Sequence, residues 1–162
     1  MQILVLYYSN TGRTKKLAES VAEGVNRVSG VECLLKTTAE VVKEDFINSE
    51  GVIAGSPVYF GTMAGELKLV MDKFVGTRRQ MIGKVGAAFA TGNHHSGGKE
   101  TTLMSIIQAF LIYGMIIVGD PLESGGHYGV AGSGELDDRC WQEGVLFGER
   151  VANVVKKLRS KS

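Results

Sequence analysis

Five short runs rich in β-forming residues punctuate this sequence, and helix-patterned segments separate them. The first run, Ile3-Leu4-Val5-Leu6-Tyr7-Tyr8, shows no polar alternation, so it reads as a strand buried on both faces. Val31–Lys36, Gly51–Gly55, Lys84–Thr91 and Met115–Val118 are the other four. Helices are predicted over about 12–28, 63–75, 99–113 and 137–159, with one or two turns within 40–48. Their apolar stripes are Leu17, Val21, Val25 and Val28; Met63, Leu67, Val70, Met71 and Phe74; Leu103, Ile106, Ile107 and Phe110; and Trp141, Val145, Gly148, Ala152 and Val155. Strand alternating with helix calls for an α/β, doubly wound parallel sheet with helices on both faces. One such domain accounts for residues 1–162.

Composition narrows the class. The 162 residues include 22 glycines and 2 prolines, a share of glycine that needs a local reason. No Gly-X-Y period occurs, and apolar residues make up 44%, which excludes collagen and linker sequences. Thirteen of the 22 glycines fall in loops 9–14, 55–65, 92–98 and 119–134. All four follow strands, at the end of the sheet where doubly wound folds bind ligands. A net charge of +1 gives no electrostatic reason to expect nucleic acid. Ile3–Tyr8 is too short for a membrane span or a signal segment. Two cysteines, Cys33 and Cys140, make no disulfide framework, and reduced thiols point to the cytoplasm.

The loop Ser9-Asn10-Thr11-Gly12-Arg13-Thr14 joins a buried strand to a helix. A helix N-terminus offers free N–H groups and partial positive charge, and three hydroxyls add donors. The loop therefore suits a phosphate monoester; the simpler alternative is that Ser9 or Asn10 caps the helix. Other phosphate and nucleophile motifs are missing: no G-x-G-x-x-G, no Walker A and no G-x-S-x-G occurs.

Ser9-x-Thr11-Gly12-x-Thr14 after Leu4–Tyr8 resembles the FMN-phosphate loop of flavodoxin-fold proteins. Gly55-Ser56-Pro57-Val58-Tyr59-Phe60-Gly61-Thr62-Met63-Ala64-Gly65, Gly97–Leu103 and Gly114–Gly119 resemble the WrbA-type NAD(P)H:quinone oxidoreductases, and the likeness runs nearly the whole chain. The resemblance implies a flavodoxin-like five-stranded sheet of order 2-1-3-4-5, bound FMN, and two-electron quinone reduction by NADH or NADPH. It also implies a homodimer or homotetramer with flavin sites near subunit boundaries. On this carry-over Ser9, Asn10, Thr11, Gly12, Arg13 and Thr14 hold the phosphate. Pro57, Val58, Tyr59, Phe60 and Gly61 line one side of the isoalloxazine; Thr91, Gly92, Asn93, His94, His95 and Gly97 follow its pyrimidine edge. A flat apolar tricycle with a polar rim wants aromatic contact and close backbone approach, which glycine permits. Of Tyr59 and Phe60, one is expected to stack and one to fill the core beneath the loop.

The chain departs from that branch in three ways. Thr11 stands where many members carry tyrosine, Ile112 and Tyr113 stand where they carry histidine, and the segment between the second and third strands is short. His94 and His95 either lie near the flavin rim and titrate or are exposed loop residues, and no further ligand set for a metal accompanies them. Tyr128 either anchors its own loop or covers a neighbouring flavin, and loop 119–134 is the expected place of subunit contact or substrate access. Lys43-Glu44-Asp45 and Lys156-Lys157 read as solvated faces, and Cys33 as a small core residue. Three functions remain: an FMN-dependent NAD(P)H:quinone oxidoreductase, a flavodoxin-type electron carrier, or a flavin-binding scaffold or sensor with negligible turnover. Carriers are typically acidic, because charge steers docking; a chain at +1 lacks that charge.

Overall fold

A computed structural model describes residues 1–160. Its core is a parallel sheet in the order β2-β1-β3-β4-β5, made of β1 (Gln2–Tyr7), β2 (Glu32–Thr37), β3 (Gly51–Pro57), β4 (Val85–Gly92) and β5 (Ile116–Ile117). The absence of alternation in the first run has a direct cause. Ile3, Val5 and Tyr7 enter the core on one face, and Leu4 and Leu6 enter the core on the other. Ile53 against Val52 and Ala54, and Ala87 and Phe89 against Ala88 and Ala90, repeat the division in the central strands.

The first core lies under α1 (Arg13–Asn26) and α6 (Asp138–Arg159), and the second under α2 (Lys43–Asn48), α3 (Gly65–Lys73) and α5 (Lys99–Ile112). The helix expected at 63–75 is shorter: α3 is followed by a 3-10 turn, Val75–Thr77, and a four-residue α4 (Arg78–Met81). Three glycines outside the ligand-facing loops join α1 to α6. A Cβ at Gly24 would sit 2.0 Å from the Val145 carbonyl oxygen, and one at Gly148 would sit 2.1 Å from that of Val21. A Cβ at Gly144 would lie 2.0 Å from Ser20 Oγ. Only glycine lets these backbones touch. On α6, Cys140, Phe147 and Val151 join the buried set, whereas Trp141 is half-buried and donates its indole N–H to Glu23 at 3.2 Å.

A sixth strand adds to the five expected. β5 pairs only with Val85 and Gly86, the first residues of β4. The chain then leaves the sheet and returns as β6 (Val130–Ser133), which pairs with Phe89–Gly92 at the other end of β4. The fifth position is thus split between two short strands, and the last part of the glycine-rich segment 119–134 is sheet rather than loop. Gly129 and Gly132 break the apolar run there, which hides the strand from a pattern reading. Among the described residues no helix is long and apolar enough to cross a membrane.

Candidate cofactor-binding site

Parallel strands bring the segments after β1, β3 and β4 to one end of the sheet. Gly12 precedes α1 with φ +90°, a left-handed conformation that suits glycine. Ser9 Oγ accepts the N–H groups of Gly12 at 3.1 Å and Lys15 at 3.2 Å, so Ser9 caps the helix. The N–H groups of Asn10, Thr11, Arg13 and Thr14 meet no acceptor among the described residues. Thr14 is only 2% exposed, and its hydroxyl pairs with that of Thr91 at 2.8 Å. Thr11 is exposed and its hydroxyl makes no hydrogen bond among the described residues.

The second loop is a miniature hairpin. Tyr59 and Thr62 exchange two backbone hydrogen bonds at 3.1 Å, and Phe60 and Gly61 between them have φ +51° and +77°. Two consecutive positive φ values define a type I′ turn, which asparagine and glycine normally occupy. Phe60 is the one non-glycine residue with positive φ among the described residues, and its ring is fully exposed. The expectation that Tyr59 or Phe60 fills the core beneath the loop is overturned. Tyr59 is 37% exposed and packs edge-on against Tyr8 with ring centroids 6.3 Å apart, while Met63 and Ala64 supply the core.

The third loop is tied from two sides. Arg13 donates to Asn93 Oδ1 at 3.1 Å and to Glu135 Oε1 at 3.2 Å, joining the first loop to the third and to the segment after β6. Lys99 Nζ donates to the His95 carbonyl at 2.6 Å, to the His94 carbonyl at 3.4 Å and to Ser133 Oγ. The N–H groups of Asn93, His94 and His95 have no acceptor among the described residues. Both histidine rings are exposed and lie 4.4 Å apart, with His94 Nδ1 2.9 Å from Ser96 Oγ. No group of three or more metal-ligating side chains occurs among the described residues.

Asn10, Thr11, Arg13 and Thr14 from the first loop, Pro57, Val58 and Tyr59 from the second, and Thr91, Gly92 and Asn93 from the third border one cleft of about 130 Å³. Ser9 and Gly12 shape the helix start behind it. Phe60, Gly61, His94, His95 and Gly97 stand outside its lining. Arg13 is the one charged lining residue, and no carboxylate borders the cleft. Unpaired N–H donors, four hydroxyls (Thr11, Thr14, Tyr59 and Thr91), one guanidinium and no lining acid make a donor set that fits a phosphate dianion. Sequence reasoning missed the ties made by Glu135 and Lys99. Glu135 lies 122 residues from Arg13, and no local spacing signals that meeting.

A flavodoxin-like sheet with a donor-rich cleft at the carboxyl ends of its strands defines a flavoprotein fold class. Comparison with known proteins narrows it. The family model for NADPH-dependent FMN reductase matches residues 1–127. A protein named flavodoxin from Clostridium saccharobutylicum is 32% identical over 161 residues, 98% of this chain and 99% of that one. One named NAD(P)H dehydrogenase (quinone) from Archaeoglobus fulgidus is 32% identical over 189 residues, 97% of this chain and 98% of that one. The crystal structure of a flavodoxin, WrbA-like protein from Agrobacterium tumefaciens superposes with a TM-score of 0.82 at 23% identity, covering 96% of this chain and 98% of the other. The chain belongs to the NADPH-dependent FMN reductase family, within the flavodoxin-like fold.

Proposed function

We propose that the protein binds FMN in this cleft and carries out NAD(P)H + H⁺ + quinone → NAD(P)⁺ + hydroquinone. The observation that carries the reading is the convergence of unpaired N–H donors from the first and third loops on a cleft free of carboxylates. FMN, when bound, would supply the two-electron redox chemistry between nicotinamide and quinone, and this chain's residues would hold and orient it. The first loop holds the phosphate through the N–H groups of Asn10, Thr11, Arg13 and Thr14, the Thr11 hydroxyl and the Arg13 guanidinium. Thr91 orients the Thr14 hydroxyl, since one member of the pair donates and the other keeps its proton for a further acceptor. Pro57, Val58 and Tyr59 give the ring an apolar wall. Gly92 lets Lys99 and Gly97 pack closely against it, since a Cβ there would lie 3.3 Å from Lys99 Cγ and 3.4 Å from the Gly97 oxygen, and the N–H groups of Asn93 to His95 serve the ring's polar rim. Arg13 and Lys99 hold the third loop in place for that task.

Relatives named NAD(P)H dehydrogenase (quinone) from Archaeoglobus fulgidus and Geotalea daltonii, 32% and 30% identical over nearly whole chains, support this reading. A flavodoxin-type carrier is the second reading, favoured by relatives named flavodoxin from Clostridium saccharobutylicum and Aquifex aeolicus at 32% and 35% identity. The net charge of +1 argues for the enzyme, since little charge is available to steer protein partners. Phe60, Leu122 and Tyr128, exposed on loops, support a homodimer or homotetramer as the assembly. Two unpaired, largely buried thiols support a reducing, cytoplasmic setting. The test is steady-state oxidation of NADH and NADPH by FMN-loaded protein with and without benzoquinone. Quinone-dependent turnover is the expected result, and its absence favours the carrier.

A further inference from the structure

A second pocket, about 340 Å³ in volume, lies behind the wall of the cofactor cleft. The two share a partition. Tyr59 lines the cleft, Tyr8 lines the pocket, and their rings meet edge to face at 72°. Val41, Val70 and Phe74, buried members of the second core, line the pocket. Leu69 on α3 lines the pocket and is 67% exposed. The polar rim carries one acid, Glu66, and one base, Lys73. The Glu66 carboxylate beside Tyr8 holds that phenol above its ordinary range.

Volume, wall chemistry and charge choose the occupant. The volume lies in the range of small-molecule sites. A rim with one charge of each sign draws neither an anion nor a cation, so the occupant is neutral. Apolar walls continuous with the core favour an apolar body, and the shared tyrosine partition connects it to the redox cleft. We propose that this pocket receives the apolar ring substituent or side chain of the acceptor quinone and sets a preference for alkylated over unsubstituted quinones. The inference rests on the quinone-reductase reading and specifies its substrate class.

Two measurements on FMN-loaded protein test it. First, a benzoquinone with a ten-carbon alkyl chain is titrated against methyl-labelled protein, and the Val41, Leu69 and Val70 signals are followed. Saturable shifts in these methyls, absent with benzoquinone alone, are expected; unmoved methyls would overturn the assignment. Second, Leu69→Glu places a charge at the rim of a folded, exposed position. It should raise KM for the alkyl quinone relative to KM for benzoquinone by about tenfold, with Leu69→Met restoring the wild-type ratio. An unchanged ratio overturns the assignment, as does a change of oligomeric state in Leu69→Glu without a change of ratio, which would give the surface to a second copy of the chain. Methyl shifts in a protein that fails to turn over any quinone would still support the pocket and would remove the oxidoreductase reading alone.

Discussion

Phe60 holds a left-handed conformation that costs a non-glycine residue about 1–2 kcal/mol, and its ring gains no burial in return. Strain kept at an exposed loop tip beside a ligand cleft marks a functional position. Phe60→Asn should therefore stabilise the protein against urea by roughly 1 kcal/mol, while weakening ligand or subunit contacts made by the ring. A loss of stability would contradict the strain account. Thr11 is the converse case, exposed and without a hydrogen bond among the described residues. Thr11→Ala should leave the melting temperature unchanged and weaken FMN binding by roughly 0.5–1.5 kcal/mol, read by flavin fluorescence titration. Equal FMN affinity would remove Thr11 from the phosphate site. The cysteines carry a pH signature. Burial pushes the Cys33 thiol up to about 12 and the Cys140 thiol up to about 11, from 9.0. The folded state keeps these protons where the unfolded chain has lost them. Their contribution to stability is thus complete below about pH 9 and is lost as pH rises through the folded values. Urea midpoints measured from about pH 8 to 11 should fall, and Cys140→Ala should flatten the fall. Parallel curves for the two proteins would contradict the assignment.

At the scale of elements, the α1–α6 pair is the tightest joint in the fold. Gly24 and Gly148 let the two helices meet backbone to backbone over the first core, and Gly144 makes room for the Leu17 and Ser20 side chains. That contact seats α1 from Leu17 to Val25. Gly148→Ala would drive a methyl to 2.1 Å from the Val21 carbonyl oxygen, and the helices must separate to admit it. A loss of roughly 1–3 kcal/mol in chemical denaturation is expected, and a neutral result would show that the joint yields. The split fifth position of the sheet is the second structural device. β6 aligns with the end of β4 that leads into the third loop, and Ser133 on β6 accepts from Lys99. The detour between β5 and β6 thereby places the segment after β6, with Glu135, within reach of Arg13.

For the molecule as a whole, a parallel sheet with helices on both faces was legible in the sequence because β1, β3 and β4 fill two cores at once, whereas the strand order came with the family resemblance. Ile3–Tyr7 shows no polar alternation for that reason. The glycine excess was legible only in part. Thirteen glycines lie in the four loops assigned from sequence, but Gly24, Gly144 and Gly148 serve helix packing, and no local pattern tells the two uses apart. β6 was hidden by its glycines, and the Lys99 and Glu135 ties by their distance along the chain. The pocket behind Tyr8 was hidden for the same reason, since it joins residues from three separate segments. The central claim concerns one cleft that takes electrons from a nicotinamide and delivers them to a quinone. Anaerobic stopped-flow absorbance of FMN-loaded protein tests it most directly. The account predicts that NADH or NADPH bleaches the flavin band and that benzoquinone then restores it with two-electron stoichiometry. A band that neither nucleotide bleaches, although FMN is bound, would contradict it.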